Sequence, residues 1–243
     1  MLAWADDFCE RLAAGSRFVI RYDHRDTGRS VSYQPGAPPY TLRELTADAV
    51  GLLDAFGLEH AHLVGTSMGG GIVMLAALDH PDRVASLTLV ATSPGGPDLP
   101  PMSEEFLAHV GGARRSDWSD RAAVIDHIVD FLRLLSGGSP HFDQAAARDE
   151  IGRDVDRTVN IASSQINHFT IDPGDPVRDR LGEIRVPTLV VHGTLDPVFP
   201  LGHALAMEKE IPGARLLTLE RTSHELPPAV WDVVVPAIVQ HTR

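Results

Sequence analysis

The pentapeptide Gly65-Thr66-Ser67-Met68-Gly69 limits the folds open to this chain more than any other segment. It follows the short apolar stretch Ala61-His62-Leu63-Val64 and opens a second apolar run, Met68 to Leu78, that ends before Pro81. A G-x-S-x-G set between a strand and a helix is the pattern of a nucleophile elbow. The backbone there turns so sharply that the serine takes a positive φ, and the flanking glycines keep Cβ atoms out of the bend. Ser67 Oγ is then lifted clear of a sheet at the start of a helix, where free N–H groups and the dipole favour developing negative charge. The glycines alone would also suit a tight structural turn. The strand–turn–helix frame is what points to a nucleophile.

That frame demands strands and helices in alternation, and the flanking sequence supplies them. Trp4 to Leu12 reads as a helix ending at Gly15, and Phe18-Val19-Ile20-Arg21-Tyr22 as a strand closed by the polar turn Asp23 to Gly28. Thr41 and Glu44 form a capping box ahead of Leu42, Leu45, Ala49, Leu52, Leu53 and Phe56, which recur at helical spacing up to Gly57. Val84 to Ala91 and Pro187 to His192 contain Leu87-Thr88-Leu89-Val90 and Thr188-Leu189-Val190-Val191, continuous runs suited to a parallel sheet covered on both faces. A helix over 202–209, a strand over Arg215 to Glu220 and a helix from Pro228 to Gln240, bent at Pro236, complete an α/β pattern.

Between 98 and 182 the alternation stops. Ser103-Glu104-Glu105, Ser119-Asp120-Arg121 and Asp154 are read as opening three helical runs. Their apolar stripes are Phe106, Leu107 and Val110, then Val124, Ile125, Ile128, Leu132 and Leu135, then Val155, Val159, Ile161 and Ile166. The expected organisation is an α/β core over 1–97 and 183–243 with 98–182 inserted as a helical lid. The competing reading is an ordinary run of packed helices with no gating role.

Composition narrows the partners. Asp and Glu number 33 against 21 Lys and Arg, a formal net charge of −12 in 243 residues. Such a chain is poorly suited to gripping nucleic-acid phosphates or an anionic membrane. The lone Cys9, among Asp6, Asp7 and Glu10, excludes an intramolecular disulfide framework and a thiolate metal cluster, and its acidic neighbours oppose a thiolate. No apolar run approaches the length of a membrane span, and the N-terminus has no basic leader, so a cytoplasmic location is expected. The 12 histidines show no H-E-x-x-H or comparable spacing, and neither metal nor cofactor is implied. Self-association into a homo-oligomer is left open.

A serine nucleophile needs a base, and the base an orienting carboxylate. Asp196 follows the strand that ends at His192, and His224 follows the last strand. Both therefore fall at the carboxyl end of the sheet, where such folds place their crevice. Ser67, Asp196 and His224 stand in the chain order Ser, Asp, His, and the backbone N–H of Met68 is the expected oxyanion donor. The bland alternatives are a turn aspartate ahead of Pro197 and one histidine among many.

These segments resemble the α/β-hydrolase superfamily, and more closely the branch containing aclacinomycin methylesterase. The likeness rests on Phe18 to Ser30, Tyr40 to Gly71, Asp79 to Val84, His192 to Pro197 and His224-Glu225-Leu226-Pro227-Pro228, and it covers the chain from end to end, least specifically in the insertion. It implies Ser67, Asp196 and His224 as nucleophile, acid and base, and a non-catalytic, loop-shaping role for Asp23-His24-Arg25. It also implies further strands ahead of this chain's first segment. The last of these would lie between the strands at 18–22 and 62–65 and end in a Gly-containing turn that supplies a second oxyanion N–H. Their absence here, with Met1 inside the following helix, leads to the expectation of an N-terminally truncated chain with a central gap in the sheet. Losing one such donor costs about 2.7–4 kcal/mol of transition-state stabilisation.

The activity implied is hydrolysis of a small apolar-to-amphipathic carboxylic ester through an acyl-serine. Amide, thioester, C–C bond cleavage and cofactor-free perhydrolysis use the same three residues, and a catalytically silent binding protein on the same fold is the reading from another class. Relatives that open epoxides or displace halide carry aspartate at the elbow, so Ser67 points away from them.

Overall fold

Four apolar segments pair into a parallel sheet: Ala61–Thr66 (β1), Val84–Val90 (β2), Thr188–Gly193 (β3) and Arg215–Leu219 (β4), side by side in that order. In register, Leu63 faces Leu87, Leu89 faces Val190, and Val190 faces Leu216. The computed structural model describes residues 2–113 and 117–243, without the side chains of 110–113. Met1 and the Val110 side chain, both used in the sequence argument, lie outside the described residues.

The helices among the described residues are Asp6–Ala14 (α1), Leu42–Ala55 (α2), Met68–Asp79 (α3), Glu104–Ala113 (α4), Arg121–Leu135 (α5), Gln144–Arg157 (α6), Ile161–Ile166 (α7), Gly202–Glu210 (α8) and Trp231–His241 (α9). Because side chains alternate across a strand, β2 and β3 feed two cores at once. Leu87, Leu89 and Val190 meet Met74 of α3 and Met207 of α8 on one face. Val90, Leu189 and Val191 meet Phe8 and Leu12 of α1 and Val234, Val235 and Ile238 of α9 on the other. Each fully buried side chain of this kind contributes roughly 1.5–3 kcal/mol. Helix α3 is buried from Ile72 to Ala77 against the sheet, as its all-apolar sequence requires. The Thr41/Glu44 capping box forms at the start of α2, and Gly57 takes a φ of 66° just beyond its end.

Two expectations are corrected. Residues 18–22 form no strand. No backbone–backbone hydrogen bond joins them to any other described residue, and an extended apolar segment becomes a strand only against a ladder partner. Phe18 is 77% exposed and meets Phe56 edge-on, while the Arg21 side chain bonds to the Trp4 carbonyl and Asp6. Correspondingly, β1 is an edge strand, with Leu63 and Val64 only half-buried while all of β3 is buried. The second correction lies between 98 and 182. No strand interrupts the helices there among the described residues, but Asp154 opens none of them. It sits in the last turns of α6, whose N-terminus is capped by Asp143 accepting from the Ala145 and Ala146 N–H groups; Asn160 caps α7. Helix α6 fully buries only Gly152; its Ala147, Ile151 and Val155, spaced four residues apart, are half-buried.

Cys9 sits on α1 half-buried; burial, with some help from Asp6 and against Arg21, pushes its thiol pKa up. Among the described residues no helix is long and apolar enough to cross a membrane.

Candidate active site

Ser67 joins β1 to α3 in a left-handed conformation, φ 53° and ψ −120°, that a non-glycine residue adopts only when its surroundings hold it there. Three hydrogen bonds do the holding. The Ser67 N–H donates to the Val90 carbonyl at 3.0 Å, and the Ser67 carbonyl accepts from the Gly70 N–H at 2.9 Å and from Thr92 Oγ1 at 2.7 Å. The glycines around it are unequal. A Cβ on Gly65 would stand 2.2 Å from the Gly69 carbonyl oxygen, and one on Gly70 would stand 2.4 Å from Thr92 Oγ1. One on Gly69 would meet nothing within 4 Å among the described residues, so the crowding expected of Gly69 is found at Gly70 instead. Thr66, paired with Val90, ends β1. Among the described residues the Ser67 hydroxyl and the Met68 N–H have no hydrogen-bond partner.

At the same end of the sheet the structure brings two of the expected residues into contact. Asp196 follows β3, and its Oδ1 accepts from the Val198 and Phe199 N–H groups, both at 2.9 Å. His224, on the loop after β4, donates from Nδ1 to Asp196 Oδ2 at 2.8 Å. That bond places the proton on Nδ1 and leaves Nε2 with its lone pair. Both side chains are almost wholly buried. Burial pushes the Asp196 carboxyl up, but the hydrogen bonds from His224 and the Phe199 N–H outweigh it and hold the carboxyl below its ordinary range. No hydrogen bond links Ser67 Oγ to His224 in this structure. Catalytic contacts of this kind are often long without substrate and tighten only when it binds.

Several neighbours of these residues belong to no motif that the sequence displays. Thr92 braces Ser67. His192, fully buried at the end of β3, donates from Nε2 to the Phe199 carbonyl at 2.7 Å and lies 3.5 Å from Asp196 Oδ2. Burial pushes its pKa down, so it stays neutral beneath the carboxylate. The end of α5 reaches the His224 loop, where the Leu135 carbonyl accepts from the His224 N–H at 3.3 Å. The Asp23 to Gly36 loop holds the other side of the helical segment. Arg157 of α6 pairs with both oxygens of Asp23 at 2.9 and 2.7 Å, and Asn167, just after α7, donates to buried Asp26 at 2.8 Å. Among the described residues no group of three or more His, Cys, Asp and Glu side chains is arranged to hold a metal ion.

Comparison with known proteins agrees with this architecture. A family model described as the alpha/beta hydrolase fold matches residues 2–227. Rhodomycin D methylesterase DauP of Streptomyces sp. (strain C5) is 35% identical over 258 aligned residues, which span 99% of this chain and 86% of that protein. The esterase RhEst1 of Rhodococcus sp. ECU1013 shares the fold with a TM-score of 0.77 at 22% identity, covering 100% of this chain and 86% of its own. The enol-lactonase of Burkholderia xenovorans LB400 gives a TM-score of 0.71 at 25% identity, over 98% of this chain and 85% of its own.

Proposed function

The chain belongs to the α/β-hydrolase fold family, within its methylesterase-like branch, and from that premise we propose that it hydrolyses carboxylic esters with Ser67 as nucleophile, His224 as base and Asp196 as acid. One observation carries the proposal: a strained serine with an unbonded hydroxyl stands at the same end of a parallel sheet as a buried His224–Asp196 pair joined at 2.8 Å. In this reaction His224 Nε2 takes the Ser67 proton as Oγ attacks the ester carbonyl carbon. Asp196 holds the tautomer that makes Nε2 the acceptor and stabilises the imidazolium that forms. The Met68 N–H, at the start of α3, meets the oxyanion. Collapse expels the alcohol, which takes the proton from His224, and water then hydrolyses the acyl-serine by the same steps.

The segment 98–182 is proposed as a lid over this crevice. Its two anchors, Leu135 on the His224 loop and Arg157 with Asn167 on the Asp23–Gly36 loop, support that placement. Its rings Phe106, Phe131, Phe169 and His109 pack together and give the segment an apolar interior. The likeness to a rhodomycin D methylesterase supports a methyl ester as the bond cleaved.

Turnover of p-nitrophenyl acetate and butyrate, and of a panel of aromatic methyl esters, tests the proposal. Ser67→Ala should lower kcat on the order of 10⁴-fold or more, and Asp196→Asn about 10⁴-fold, with circular dichroism unchanged. Wild-type turnover retained by Ser67→Ala would remove the nucleophile assignment. No turnover of any ester by the folded wild-type chain would remove the activity.

A further inference from the structure

The proposed acid and base sit on different loops, and a third group crosses between them. Ser223 is 1% exposed and precedes His224. Its Oγ lies 2.6 Å from the Leu135 carbonyl, in the last turn of α5, and 3.1 Å from the carbonyl of Leu195, the residue before Asp196. The hydroxyl proton is shared between two carbonyls that belong to two different segments. Leu135 also accepts the His224 N–H, so a helix-end carbonyl that would otherwise lack a partner is capped by the loop carrying the base. The Leu195 N–H returns to the Thr222 carbonyl at 2.9 Å, closing the circuit between the two loops.

Gly137, two residues past Leu135, seals this junction. Its φ is 53°, and a Cβ there would stand 2.3 Å from the Leu195 carbonyl oxygen, 2.7 Å from Ser223 Oγ and 3.4 Å from Pro197 Cδ. The first of those is backbone, which has little room to give. Gly138 offers an internal contrast, with a φ of 75° and, among the described residues, nothing within 4 Å of a Cβ.

We propose that Ser223, seated against Gly137, is a positioning residue that keys the end of α5 to both the Asp196 and His224 loops and so sets their alignment. The proposal rests on the assignment of His224 and Asp196 as base and acid. It gives the helical segment a second duty besides covering the crevice: α5 cannot shift without disturbing the imidazole that must reach Ser67.

The test compares Ser223→Ala, Gly137→Ala and Gly138→Ala with wild type and Ser67→Ala, using p-nitrophenyl butyrate. Folding is checked by circular dichroism and thermal melting, and the His224 Nδ1 proton is followed by its downfield proton NMR resonance. Ser223→Ala and Gly137→Ala should lower kcat about 10- to 100-fold, the scale of a 1 Å misplacement, with KM little changed. The Nδ1 resonance should shift or broaden in both. Gly138→Ala carries the same left-handed strain without the contact, so kcat and the resonance should stay at wild type even if its melting temperature falls. If Ser223→Ala does not fold, Ser223→Cys, a weaker donor of similar shape, should show the same loss. Wild-type kcat and an unmoved resonance in Ser223→Ala and Gly137→Ala, beside an inactive Ser67→Ala, would overturn the positioning role alone. An active Ser67→Ala would instead overturn the assignment on which it rests.

Discussion

Gly65, Gly69 and Gly70 are the same residue type within one turn of chain, yet they carry different loads. Gly65 lies against the Gly69 carbonyl, Gly70 against the Thr92 side chain that braces Ser67, and Gly69 against open space. Substitution by alanine should therefore rank them. Gly69→Ala should be neutral or stabilising by up to about 1 kcal/mol, since alanine is the better helix former. Gly70→Ala should cost about 1–3 kcal/mol by overpacking, and Gly65→Ala more, because backbone cannot swing aside as Thr92 can. Urea unfolding midpoints of the three variants check the order, and equal losses would show that the elbow's glycines act through flexibility alone. Motif spacing singled out Ser67, Asp196 and His224 because each closes a strand. It could not separate the glycines or find Thr92 and Ser223, whose partners Ser67 and Leu135 are distant in the chain, or His192, whose contacts depend on how the Asp196 loop folds back over it.

Among the elements, α6 packs along α5 and is tied to it by the Arg121–Asp156 and Arg148–Asp126 pairs, while polar contacts fasten its C-terminal end and α7 to the Asp23–Gly36 loop. The Val159 N–H donates to the Gly28 carbonyl at 2.9 Å, and Ser163 Oγ to the Tyr33 carbonyl at 2.5 Å. Buried Asp26, itself at φ 65°, accepts from the Tyr33 N–H, the Tyr40 hydroxyl and Asn167, while Asn167 Oδ1 accepts from the Gly36 N–H at 2.6 Å. Asn167→Ala removes one of the three donors to buried Asp26 and the acceptor of the Gly36 N–H, and should cost about 1–3 kcal/mol. Limited proteolysis should cut the variant faster between 157 and 170 than elsewhere; uniform cutting would mean that the anchor is not local. The start of α2 is legible from the Thr41/Glu44 capping box and α3 from its apolar run, whereas α6 opens on Gln144 with no apolar residue larger than alanine before Ile151. The 18–22 segment fails for a different reason: its residues favour a strand, but pairing belongs to two segments and no single one encodes it.

At the scale of the whole molecule, the interior contains histidines that resist protonation. Burial pushes the His24 pKa down to about 4, and its Nδ1 is enclosed with no hydrogen-bond partner among the described residues. The folded state thus prefers neutral His24, and the stability this confers is full above the unfolded value near 6.5 and lost as pH falls through about 4. The loss should reach on the order of 3 kcal/mol by pH 4, with His192 adding in the same direction. Urea midpoints measured from pH 7 to 4 should fall less steeply for His24→Phe than for wild type; parallel curves would show that His24 does not govern the acid limit. The order of the sheet has a consequence in time. Its strands lie side by side in the order in which they occur along the chain, so the serine turn is built at one margin and the histidine loop at the other. A folding chain can complete the Ser67 bend against β2 alone, long before anything stands opposite it. Contacts so distant in sequence close late, after the loop entropy of the whole span has been spent. Under the proposed assignment, the meeting of Ser67 with His224 waits on that late closure.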